Sequence, residues 1–115
     1  MARKKKPSRK YTPRNEFRYC FAESAGGKDN PHPHYIFGEH NGYYYSLGLT
    51  SHPHKKYTYE RLSYNPNPSS RKKMAVLIDP FTEPIGEYDK KPKKKWKFHF
   101  KDLPIIQRLI DLFFE

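Results

Sequence analysis

HPHYIFGEHNGYYYSLGLTSHPH, residues 32–54, decides how the rest of the chain is read. The apolar run Tyr35-Ile36-Phe37, the dipeptide Asn41-Gly42 and the alternating run from Tyr43 to Thr50 predict two antiparallel strands around a tight turn. With Asn41 and Gly42 central in a type I′ turn, the ladder sets His40 opposite Tyr43, Ile36 opposite Leu47, Pro33 opposite Thr50 and His32 opposite Ser51. A loop longer by two residues shifts this pairing but keeps His32 and His34 level with the end of the second strand. His-Pro-His closes both ends of the stretch, so the open end of the hairpin gathers four histidines and two hydroxyls. In the second strand Tyr43, Tyr45, Leu47 and Leu49 form the expected core face. Tyr44, Ser46, Gly48 and Thr50 form the other, and Thr50 and Ser51 stand where the backbone leaves the sheet and side chains reach a ligand.

Length and charge bound the partners. The 115 residues make one domain. Twenty-three Lys and Arg against 12 acidic residues leave a formal charge of +11, which favours a polyanion over a neutral small molecule. Aromatic residues make up 17% of the chain, and rings interleaved with basic residues suit single-stranded nucleic acid, whose bases can stack. Cys20 is the sole cysteine, which excludes an internal disulfide and fits a reducing, cytoplasmic setting. No apolar run has the length of a membrane helix and no apolar segment follows the basic start, so neither a membrane span nor a secretory signal is expected.

Outward from the hairpin, residues 1–15 hold seven Lys or Arg and read as a disordered basic arm. The arm either adds affinity for phosphates or acts as a solubilising tail. Residues 17–22 predict a first strand, and residues 23–31 a loop whose Gly26-Gly27 lacks the context of a phosphate-binding motif. After the hairpin come a short strand within residues 57–62, a turn-rich linker over 65–70, a buried strand at 74–79 ended by Pro80, and an edge extension over 81–85. Residues 90–101 place seven lysines around Trp96, Phe98 and Phe100, and their alternation predicts a short strand or extended stretch with one basic face. Asp102 is the expected N-cap of a helix over 103–114, with Pro104 in its first turn and Ile106, Leu109, Ile110 and Phe113 as its apolar stripe. The expected fold is mainly β (α+β): residues 16–115 as a small, strongly curved antiparallel sheet or half-open barrel with a C-terminal helix.

This succession resembles the MazF/PemK toxins, the ribonuclease halves of bacterial toxin–antitoxin pairs, which share their compact barrel with ToxN. His32-Pro33 followed by His34-Tyr35-Ile36-Phe37 stands where that family has Arg-Pro and an apolar run. Leu49-Thr50-Ser51 is similar to its strand ending in Thr-Ser. Val76-Leu77-Ile78, Glu87-Tyr88-Asp89-Lys90 and the Asp102-led helix are similar in kind to its closing elements. The resemblance implies metal-independent cleavage of single-stranded RNA, no cofactor, a protein or RNA antitoxin as partner, and it admits a homodimer.

Such cleavage needs a base at the 2′-hydroxyl, a cation or donor on the phosphoryl oxygens and an acid at the leaving oxygen. Imidazole, with a reference pKa of ~6.5, serves either proton-transfer role. The expected catalytic set is His32 as base or acid, His34 as its partner, and Thr50 and Ser51 as donors to the phosphate, with Lys55 or Lys56 offsetting its charge. His52, His54, Lys55 and Lys56, with Lys94, Lys95, Trp96 and Lys97, are the expected nucleic-acid contacts, and His52 or His54 can replace His34. Two other readings compete. One is a basic RNA- or DNA-binding module without catalysis. The other is a metal centre held by the paired histidines.

Overall fold

The protein is described here by a computed structural model covering residues 8–115. Its element order is β1 (Thr12–Cys20), a 3-10 turn (Glu23–Ala25), β2 (His32–His40), β3 (Tyr43–Thr50), β4 (Tyr59–Arg61), β5 (Ala75–Leu77), β6 (Phe81–Pro84), 3-10 turns at Ile85–Glu87 and Phe100–Asp102, and α1 (Leu103–Phe113). Every strand pair is antiparallel. The path β1-β2-β3-β5-β4, with β6 added on β3, is mainly β with one C-terminal helix, and its end strands do not pair to close a barrel.

The turn predicted at Asn41-Gly42 is present, with φ of 49° and 82° at the two residues, and His40 faces Tyr43 as expected. Beyond that the register differs by one residue. A bulge between Ile36 and Gly38 sets Ile36 opposite Ser46, Tyr35 opposite Leu47 and His34 opposite Gly48. The extra residue lets Phe37 join Tyr35, Tyr45 and Leu47 in the main core while Ile36 packs with Tyr44 and Tyr88 on the other face. Gly38 is required there, because a Cβ would stand 2.6 Å from the Tyr11 ring. Both faces of β3 are therefore buried, whereas one core face was expected.

Helix α1 covers the main core. Ile106 and Leu109 are buried, Ile110 and Phe113 pack beside them, and the Phe113 ring meets those of Tyr45 at 5.2 Å and Phe37 at 5.7 Å. Asp102 precedes the helix but does not cap it. A 3-10 turn runs directly into α1 and holds Asp102 in helical geometry, so its fully buried carboxylate instead accepts from the Ser63 and Tyr64 amides at 2.8 and 3.1 Å.

Three further expectations change. β1 starts at Thr12, not Phe17, so the basic arm is at most the residues before it, and residues 1–7 lie outside the described part. Of the two readings of residues 90–101, a short strand or an extended stretch, the strand does not form. Trp96 and Phe98 turn inward against Phe17, at 5.9 and 5.1 Å between rings, and leave Phe100 70% exposed.

One topological feature builds the site. The first half of β3 pairs with β6, ending at Ser46↔Phe81, and its last residues pair with β5, beginning at Leu49↔Val76. At this fork lies Gly48, whose added Cβ would meet Phe81 at 3.1 Å, Leu77 at 3.2 Å and the His34 Nε2 at 3.4 Å. The absence of a side chain is what lets Phe81 and Leu77 close on the fork beside the His34 ring.

Candidate functional site

A cavity of about 680 Å³ opens at the fork. The β2–β3 ladder stops at His34↔Gly48, beside Pro33, which has no N–H to continue it. Past that point the strands part, and both His-Pro-His segments reach the cavity: His32 and His34 from β2, and Thr50, Ser51, His52 and His54 from the end of β3 and the loop after it. Lys56 and Lys72 add ammonium groups to the wall, and Trp96 adds a ring.

The histidines differ. His34 is 1% exposed. Its Nδ1 lies 2.9 Å from the Ser46 Oγ, which lies 2.7 Å from the Tyr88 hydroxyl. The Phe81 ring stands edge-on at 4.7 Å. Burial, and secondarily the neighbouring His32, push its pKa down to about 3, so the ring is neutral at physiological pH. Burial also lowers the pKa of half-buried His32 and raises that of the Tyr88 hydroxyl. His52 and His54 are exposed. Ser51 Oγ lies 3.0 Å from the His52 Nδ1, and Thr50 Oγ1 accepts from the His52 amide at 3.2 Å.

The predicted residues thus divide. His32, His34, Thr50, Ser51, His52, His54, Lys56 and Trp96 line one cavity, while Lys55, Lys94, Lys95 and Lys97 are exposed outside its wall. His34, expected as the proton-transfer partner of His32, is a neutral ring near neutrality and is not set up to deliver a proton. Ser46 and Tyr88, which orient His34, and Lys72 were not singled out from the sequence. Ser46 gave no signal, because its face of the strand reads as the solvated one, where a hydroxyl is ordinary. Tyr88 carried none, since only the Cys20↔Tyr88 bridge brings it to the sheet.

Among the described residues no group of three or more His, Cys, Asp or Glu is arranged to hold a metal ion, and no helix is long and apolar enough to cross a membrane. Comparison with protein-family models, curated proteins and solved structures finds no match to this chain.

Proposed function

We propose that the cavity takes a segment of single-stranded RNA and cleaves it without a metal ion. The observation that carries this reading is the convergence of both His-Pro-His segments, two hydroxyls and two lysines on one wall. His32, whose partial burial lowers its pKa and so favours the neutral ring, takes the proton of the 2′-hydroxyl as that oxygen attacks the adjacent phosphorus. The bond from phosphorus to the 5′-oxygen breaks, and His52 or His54 protonates the leaving oxygen. Lys56 and Lys72 offset charge on the non-bridging oxygens, and Thr50 and Ser51 donate to them. The products are a 2′,3′-cyclic phosphate and a 5′-hydroxyl. Neutral His34 contributes shape and a hydrogen-bonding edge.

β3 divides its edge between β5 and β6, a division that favours reading the sheet as strongly curved and half open, in keeping with a small cytoplasmic toxin of the MazF/PemK kind. Its antitoxin is then an acidic protein or an RNA that fills the same cavity. A second reading, binding without cleavage, draws on Trp96 in the wall beside the lysine-rich segment. Incubating mixed RNA with the protein over a series of EDTA concentrations separates the two. The expected result is cleavage insensitive to EDTA with cyclic-phosphate ends. Salt-sensitive binding with no products selects the binding module, and loss of cleavage on chelation overturns metal independence.

A further inference from the structure

Three rings outside the cavity form a ladder. Tyr64 stacks on His99 at 4.0 Å between centroids and 24° between planes, and His99 lies against Phe100 at 4.5 Å and 31°. The terminal rings face solvent: Tyr64 is 48% and Phe100 70% exposed. Leaving so much aromatic area in water forgoes the usual gain from burial, yet the arrangement is held firmly. The buried Asp102 carboxylate accepts from the Tyr64 amide and belongs to the same 3-10 turn as Phe100, so one acidic group fixes both arms. The Lys97 amide, donating to the Pro66 carbonyl at 3.2 Å, ties the two segments together a second time.

The surroundings point to one kind of ligand. Residues 61–73 and 90–101, which carry the ladder, contain eleven Lys or Arg and no acidic residue. Asn65, the residue after Tyr64, lines the cavity, as does Trp96. The ladder thus stands one residue along the chain from Asn65 and three from Trp96, both of them in the cavity wall. Exposed ring faces within a field of lysines are what a single strand needs, with bases on the rings and phosphates on the ammonium groups. A duplex, whose bases are already stacked, gains nothing from such faces.

We infer that Tyr64, His99 and Phe100 are a stacking platform for bases of a single-stranded RNA whose neighbouring nucleotides occupy the cavity. The inference takes its ligand from the nucleic-acid reading of the cavity but does not need cleavage. Binding is measured by fluorescence anisotropy with a 2′-O-methyl oligoribonucleotide of about ten nucleotides, a length one small module can cover, and with a dinucleotide. The 2′-O-methyl group removes the attacking hydroxyl, so a failure of catalysis leaves this measurement untouched. Phe100→Ala is expected to weaken the longer strand about fivefold to tenfold, the lower range for one base–ring stack, and to leave the dinucleotide unchanged. Phe100→Trp is expected to keep the affinity, with its added fluorescence quenched on binding. Equal loss for both ligands, or a change below twofold for the longer one, overturns the platform. So does a dimer that Phe100→Ala dissolves with RNA affinity unchanged, which makes the ladder a face between copies of this chain.

Discussion

His-Pro-His occurs twice in this chain, and the two copies meet opposite fates. The first is part of β2, paired to β1 through Cys20↔His32 and Arg18↔His34, with His34 enclosed by Ser46, Tyr88 and Phe81. The second lies past the end of β3, with both histidines exposed. One tripeptide therefore supplies the cavity with a buried, oriented imidazole at His34, and the other supplies it with two exposed ones. Environment, not residue type, divides the labour.

The largest test of this contrast is acid. His34 is neutral when folded and takes up a proton when unfolded, so the unfolded chain binds more protons between its ordinary pKa and the folded value of about 3. Stability accordingly rises with pH through that window and is lost as pH falls through it, by roughly 3–5 kcal/mol for one such group. Urea unfolding from pH 7 to 3 should show this loss, and His34→Gln should flatten the slope relative to the unmodified chain. A slope unchanged in that variant means that His34 is not buried neutral.

Truncation sharpens the comparison. His34→Ala removes a packed ring and takes from the buried Ser46 hydroxyl one of its two partners, leaving it the Tyr88 hydroxyl, at a cost of about 2–4 kcal/mol in denaturant unfolding. A cost under ~1 kcal/mol would remove the distinction between the two copies. Gly48→Ala forces a methyl group against Phe81 and Leu77 and should destabilise by about 1–3 kcal/mol. Its thermal midpoint reports the effect, and an unchanged midpoint denies that the fork is tightly packed. His54→Ala, in the exposed copy, should alter stability by no more than ~0.5 kcal/mol.

Much of this was legible from residues alone because local chemistry dictated it. Asn41-Gly42 tolerates positive φ, which fixes the turn and His40↔Tyr43. The stripe on α1 follows helical periodicity, and both His-Pro-His segments were expected at one end of the hairpin. The bulge at Phe37 was not legible, since strict alternation contains no extra residue, and it moved by one every pair beyond it, from Ile36↔Ser46 onward. Nor was the second buried face of β3, which depends on β6 and Tyr88 arriving from about forty residues away in sequence. The alternation of Trp96, Phe98 and Phe100 misled for a related reason. It reflects two rings drawn inward to Phe17 and one left on the ladder, not the pleat of a strand.

The proposed role of His32 is that of a base in a cavity whose architecture does not depend on it. It is tested most directly by the rate at which His32→Ala cleaves single-stranded RNA, with a urea curve on the same preparation. A fall of about a hundredfold or more, the scale of a lost general base, with an unchanged unfolding midpoint is the predicted result. Cleavage at the unmodified rate would contradict it.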